Sequence, residues 1–203
     1  GWIHEVKYDG YRMLCRIEGG DVRIISRNGK EWTEDFPSVA KAAALLPVSN
    51  AWLDGEICVV DAKGRSSFQA LQNVLSNAPG TLVYFAFDLL YVDGIDLRGC
   101  ALIDRKGALQ QLLTGAAATI VYSDHFAAPG ADFYANVCKL GLEGIVSKRA
   151  NGTFQPGRSS AWLKVKCTRR QEFVIGGYTD PEGNRVGLGA LLLGVYEPDG
   201  RLT

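Results

Sequence analysis

Between residues 11 and 17 the chain alternates without a break, and this restricts the fold more than any other feature. Tyr11, Met13, Cys15 and Ile17 fall on one side of a period-two pattern, and Arg12 and Arg16 on the other. Such a segment predicts a strand with one packed face and one polar face. Turn signals follow at once: Gly19, Gly20 and Asp21 make a turn, residues 22–26 return as a second strand, and Asn28-Gly29 is another tight turn. Further strands are predicted over 52–60, ending at the turn 61–64, and over 82–92, 120–124, 144–148 and 162–167. The run 82–92 is apolar except for Asp88. Helices are predicted from after Asp35 to Leu46 with Pro37 in the first turn, from the capping residue Ser67 through Leu75, and over 101–113 and 132–140. Strands outnumber helices and often follow one another as hairpins. The expected class is therefore α+β, with two antiparallel sheets and flanking helices.

After Arg170 the texture changes to a strand over 172–178, a turn over 181–184 and a strand over 191–196. This places a boundary near Arg170, with a main domain over 1–170 and the first hairpin of a second, β-rich domain over 171–203. The chain has 203 residues, 47% of them hydrophobic, enough to bury a sizeable core and to make disorder a poor description. It opens on Gly1 rather than methionine and stops just after a turn signal, so the expectation is a piece of a longer protein. Lys and Arg number 22, Asp and Glu also 22, and this zero net charge argues weakly against nucleic acid. The run 164–170, KVKCTRR, is locally cationic, and its plain alternative is a solvated surface stretch. The five cysteines are odd in number, widely spaced and without a CxxC pair, which predicts reduced thiols in a cytoplasmic protein rather than disulfides or zinc. No apolar run approaches the ~20 residues of a membrane span, so no membrane partner is expected.

The stretch Lys7-Tyr8-Asp9-Gly10-Tyr11-Arg12 carries the chemistry. A glycine bend followed by a strand holds a lysine and an arginine near one point, where a phosphate fits. Lys-x-Asp-Gly-x-Arg arises by chance in a chain this long roughly a few times per thousand. Its bland alternative is a surface turn between strands, with Asp9 merely holding the turn.

The hexapeptide resembles the first motif of the covalent nucleotidyltransferases, which comprise DNA ligases, RNA ligases and mRNA-capping enzymes. Further segments resemble their later motifs in order: Ser26-Arg27-Asn28-Gly29, Asp54-Gly55-Glu56, Phe85-Ala86-Phe87-Asp88, residues 143–148 (EGIVSK) and residues 162–166 (WLKVK). Arg12 resembles users of a nucleoside triphosphate more than NAD-dependent ligases. Tyr8 suits a ligase, and Glu5 suits adenine over guanine. Residues 27–37 (RNGKEWTEDFP) and 156–167 (PGRSSAWLKVKC) look most like the ligase module of bacterial ligase D, which joins broken DNA ends.

The resemblance implies an ATP-dependent DNA ligase core. Lys7 would attack the α-phosphate of ATP and carry AMP as a covalent intermediate, helped by Mg²⁺ or Mn²⁺. The cations Arg12, Lys164 and Lys166 would favour the unprotonated amine and stabilise phosphate charge. The resemblance implies sugar and metal contacts for Glu56 and Glu143, and base stacking for Phe87. Glu5, Val6 and Val146 would line the base, and Arg12 and Arg27 would meet ribose or a DNA 5′-phosphate. Arg158 and Lys148 are candidate phosphate contacts, although Lys148 could instead face solvent and Arg158 could cap a loop. His4 and His125 read as packing or surface residues. The implied partners are nicked or broken double-stranded DNA, Ku, and polymerase and nuclease modules of one polypeptide, in the bacterial cytoplasm at the nucleoid. The implied second domain is the start of an OB-fold. A sixth motif on that domain lies beyond the chain, which predicts weak self-adenylation and poor sealing. An RNA ligase, a GTP-using capping-type enzyme and a non-catalytic nucleotide- or DNA-end-binding module remain alternatives. Substrate preference and covalent labelling of Lys7 separate them.

Overall fold

The computed structural model describes all residues except Asn77, Arg158, 168–172, Glu182, 184–185 and Pro198. The chain divides into one unit over Gly1–Cys167 and a smaller one over Thr168–Thr203.

The larger unit holds two sheets. The six-stranded sheet is ordered β3 (Asp21–Ser26), β2 (Tyr11–Glu18), β4 (Asn50–Val60), β5 (Thr81–Val92), β6 (Ile95–Asp96), and β7 (Ile120–Tyr122) also pairs with β5. The four-stranded sheet is ordered β10 (Trp162–Lys166), β9 (Gly144–Arg149), β1 (Trp2–Val6), β8 (His125–Phe126). The alternation of β2 appears as expected, with Met13, Cys15 and Ile17 buried and Arg12 and Arg16 only partly so. Every pairing between the described strands is antiparallel, as expected, except that β7 runs parallel to β5. The physical reason is the connection. Helix α3 (Leu102–Leu112) packs against β5 and returns the chain for a parallel entry, the crossover that parallel pairing requires.

Helices α1 (Pro37–Ala43), α2 (Phe68–Leu75) and α3 contribute to the main core with Met13, Ile24, Leu53, Ile57, Tyr84 and Leu89. Ser67 caps α2 by accepting from the Ala70 amide at 3.2 Å. Asp9 accepts from the Phe68 amide at 3.1 Å, so the first loop is tied to the start of the same helix. Helix α4 (Gly130–Lys139) contacts β1 and β9.

Two glycines of the motifs are explained by close packing. A Cβ on Gly10 would lie 2.2 Å from the Ile57 carbonyl oxygen, and Gly10 does not adopt a positive φ, so close approach is its need. At Gly55 a Cβ would lie 2.5 Å from the Tyr84 ring, whose hydroxyl donates to the Met13 and Leu53 carbonyls. In β5, Ala86 and Leu89 both enter the core although they are three residues apart. The register shift opposite Asp54 and Gly55 accommodates the extra residue and so breaks strict alternation around Phe87 and Asp88. Asp88, the one charge in that strand, is fully buried and gripped by both Nε and Nη2 of Arg105 at 2.8 Å.

The cysteine expectation is corrected. Cys138, near the end of α4, is joined to Cys167, just after β10, while Cys15, Cys58 and Cys100 are free. The Cys167 amide donates to the Glu143 carbonyl at 2.8 Å, and this continuation of the strand pairing helps bring two thiols 29 residues apart together.

In the smaller unit, β11 (Val174–Thr179) and β12 (Ala190–Gly194) form an antiparallel pair. Among the described residues, no helix is long and apolar enough to cross a membrane.

Candidate active site

Strand β1 delivers Lys7. Its pairing with β9 runs to Val6 opposite Ile145, and the Lys7 amide adds one more bond to the Gly144 carbonyl at 2.8 Å. This places the Lys7 side chain beside Glu143, the residue before β9, with Nζ 2.5 Å from Oε2. The other carboxylate oxygen of Glu143 lies 3.2 Å from Lys166 Nζ, whose side chain is 71% exposed. One carboxylate thus bridges the first and last lysines of the motif series.

A small cavity of about 50 Å³ opens at Lys7. Glu5, Val6, Phe87, Val146 and Lys148 form its inner wall, with Arg12, Glu56 and Lys164 also lining it. A wider cavity of about 470 Å³ shares Arg12, Trp162 and Lys164 with it and adds Arg27. Of the residues expected at the site, Glu143 and Lys166 line neither cavity but meet each other, and Arg158 lies outside the described residues.

Phe87 and Trp162 meet edge to face at 5.7 Å, and each ring carries cations. The Arg12 guanidinium lies 5.5 and 5.3 Å from their centroids, and Lys148 Nζ 4.4 and 4.1 Å. Arg12 donates from Nε and Nη2 to the two oxygens of Asp54 at 3.0 and 2.6 Å, a fork made possible by the register that sets Arg12 against Glu56 and Leu14 against Asp54. Burial opposes the Arg12 charge, but the Asp54 bonds prevail and raise its pKa.

The alternative of a solvent-facing Lys148 is corrected: the side chain is 2% exposed. Strand β9 directs it inward, where its Nζ lies 2.8 Å from Glu5 Oε2. Lys106 of α3, fully buried, brings its Nζ within 3.0 Å of Glu5 Oε1 and donates to the Ser123 carbonyl at 2.8 Å. The Ser123 hydroxyl donates to Glu5 Oε2 at 2.9 Å. Neither Glu5 Oε1 nor Lys148 Nζ makes a contact with hydrogen-bond geometry, so a buried acceptor and a buried donor are left over at the inner wall.

The electrostatics differ residue by residue. Burial pushes the Glu56 carboxyl up to about 7, against the pull of Lys164, Lys7 and Arg12. Lys164 is lowered, first by burial, then by the neighbouring Arg12 and Lys7, with Glu56 opposing. Burial also pulls Lys106 down to about 8 despite Glu5. His4 meets the Ser147 hydroxyl at 2.8 Å and His125 the Tyr122 hydroxyl at 3.0 Å, so both are packing residues.

Sequence reasoning missed Lys106 and Ser123. Helix α3 turns Arg105 and Lys106 inward, so a charged pair occupies positions where apolar residues would have signalled a buried face. Tyr8 and Trp162 line the inner cavity, yet their motif positions did not assign them there.

The arrangement suits a nucleotide. An aromatic-walled recess with an unspent donor and acceptor meets a lysine flanked by carboxylates and cations. Residues 1–166 match the ATP dependent DNA ligase domain, and the chain belongs to that family. It is 48% identical over 200 residues to the multifunctional non-homologous end joining protein LigD of Pseudomonas aeruginosa, covering 98% of this chain and 24% of that protein. It is 39% identical to the LigD of Mycolicibacterium smegmatis, covering 98% of this chain and 26% of that one. Among solved structures, a mycobacterial DNA ligase D complexed with ATP and MES superposes with a TM-score of 0.75 at 35% identity. That match covers 97% of this chain and 63% of the other. The chain therefore spans about a quarter of the length of these curated relatives.

Proposed function

We propose that Lys7 is the nucleophile of a DNA-sealing reaction that uses ATP. The observation that carries this is the position of Lys7 Nζ at the mouth of the inner cavity, 2.5 Å from Glu143 and in one lining with Glu56 and Lys164. The Lys7 amine, once unprotonated, attacks the α-phosphorus. The N–P bond forms, the bond to the bridging oxygen breaks, and pyrophosphate leaves with that electron pair. Lys164 and Arg12 neutralise charge on the α-phosphate, and Lys166 stands at the exposed end for the departing phosphates. A DNA 5′-phosphate oxygen then takes the AMP from Lys7, and a neighbouring 3′-hydroxyl displaces AMP to close the strand.

Phe87 stacks on the adenine, beside Val6 and Val146, and Glu5 accepts from its exocyclic amine. Arg27, on the wider cavity, meets ribose or the DNA 5′-phosphate. Glu56 and Glu143 would hold Mg²⁺. Among the described residues no group of three ligating side chains gathers, so such an ion would complete its shell with substrate phosphates and water. When bound, the ion supplies charge neutralisation at the phosphates. Lys148 is assigned to the base end by its contact with Glu5, and Arg158 remains a phosphate contact proposed from its motif alone.

The end-joining role named for the relatives supports broken DNA as substrate, with Ku and with polymerase and nuclease modules as partners, in a bacterial cytoplasm. Residues 171–203 are read as the start of an OB-fold, a reading to which the β11–β12 hairpin lends support.

The test is incubation with α-labelled ATP and Mg²⁺, then denaturing electrophoresis. Label on the wild-type protein and none on Lys7→Ala is expected. Equal label on both would overturn the assignment.

A further inference from the structure

Two of the residues that hold Glu5 belong to no motif of the site and come from outside its strands. Lys106 lies on α3, and Ser123 immediately follows β7. Both are fully buried, and Glu5 is 2% exposed. A buried carboxylate keeps its charge and its direction only when the surroundings provide both. Here Lys148 and Lys106 supply charge, at 2.8 and 3.0 Å, and the Ser123 hydroxyl supplies direction, at 2.9 Å on Oε2. Lys106 is itself fixed by its bond to the Ser123 carbonyl and lies 4.5 Å from the Tyr122 ring centroid.

The consequence is asymmetric. Oε2 is used by the serine hydroxyl and Lys148, while Oε1 meets the Lys106 ammonium at 3.0 Å and keeps a second lone pair. Glu5 thus presents one charged acceptor at the inner wall of the cavity. An acceptor held this way rewards a ligand N–H and gives nothing to a ring that lacks one. Lys106 stands behind this wall, since it is not among the residues that line the cavity.

We propose that Lys106, together with Ser123, is a positioning residue that aims the Glu5 carboxylate at the exocyclic amine of the nucleobase and so sets the preference for an amino-purine nucleotide. The proposal rests on the reading of Glu5 as a base contact. Lys106 acts through Glu5 alone, so its loss removes discrimination between bases without removing the nucleophile or the phosphate cations. Its protonated form predominates at neutral pH, because burial lowers its pKa only to about 8.

The measurement is kcat/KM for labelling of Lys7 in the natural full-length protein, with ATP and with purine riboside triphosphate, which lacks only the exocyclic amine. Lys106→Gln keeps a donor for the Ser123 carbonyl and drops the charge facing Glu5. Its ATP-to-analogue ratio is expected to fall roughly tenfold or more, mainly through KM for ATP, with the analogue nearly unaffected. Lys106→Arg, which restores the charge, is expected to recover part of the ratio. Equal losses with both nucleotides in Lys106→Gln would mark the lysine as merely structural and overturn the proposal. Ser123→Ala leaves the backbone carbonyl in place and is judged by the same two outcomes, so it decides the matter if Lys106→Gln does not fold. Glu5→Gln separates the two readings. If Glu5→Ala, which removes the acceptor altogether, also leaves the ratio unchanged, the base contact itself is wrong. A ratio that falls in Glu5→Gln but holds in Lys106→Gln and Ser123→Ala defeats the positioning role alone.

Discussion

The two ends of the nucleotide recess handle charge in opposite ways. At the inner end Glu5, Lys106 and Lys148 are each at most 2% exposed, and the carboxylate has both its cations within 3.0 Å. At the outer end Lys7 and Glu143 are part-exposed at 15% and 19%, and Lys166 is largely in solvent. Buried charge is costly to move, so the inner end has a set geometry that can select a neutral base by hydrogen bonding. The outer pairs are cheap to break and can exchange a carboxylate for a phosphate. On the proposed function, recognition falls where the structure is stiff, and group transfer where side chains are free to change partners.

The largest effect on stability should come from breaking the inner end. Glu5→Ala leaves two buried ammonium groups without their counter-ion and should cost about 3–5 kcal/mol in a urea unfolding experiment. Loss of Cys138 should come next. Cys138→Ser opens a 29-residue loop that the chain-entropy account values at about 3–4 kcal/mol, and wild-type protein under strong reductant should lose a similar amount. If reduction leaves the unfolding curve in place, the link contributes nothing in solution.

The outer end should behave in the reverse manner. Glu143→Gln is expected to change stability by about 1 kcal/mol or less, because Lys7 and Lys166 remain hydrated, yet to depress Lys7 labelling severely. A large stability loss with normal labelling would erase the contrast between the ends. The last effect concerns Glu56 and shows only as pH is changed. Its pKa rises on folding from the ordinary 4.5 to about 7, so the folded state binds the extra proton between those values. This contribution to stability is fully present below about pH 4.5 and is lost as pH rises through about 7. Glu56→Gln should therefore remove a fall in stability between pH 5 and pH 8 that the wild type shows. Parallel pH profiles for the two proteins would contradict the burial argument.

Much of this contrast was legible in the chain. The alternation in β2 marked its buried face, Ser67 announced the start of α2, and the motif spacing brought Lys7, Arg12, Glu56, Phe87, Glu143 and Lys164 to one locality. Local signals carry such information because period, cap and turn each depend on a few neighbouring residues. Even the interrupting Asp88 was visible, though its partner Arg105 was not.

What only the tertiary structure decided are the pairings across long separations. Lys106 and Ser123 meet Glu5 from more than 100 residues away, and Cys138 meets Cys167 where the Cys167 amide extends the strand pairing to Glu143. The sequence by itself marked most of the longer strands and the motif residues, since periodicity and motif are written along the chain, but β1, which delivers Lys7, was not among the strands it marked. Whether Lys148 faced water or a carboxylate depended on which segments came to lie beside it, and a buried charge leaves no period of its own.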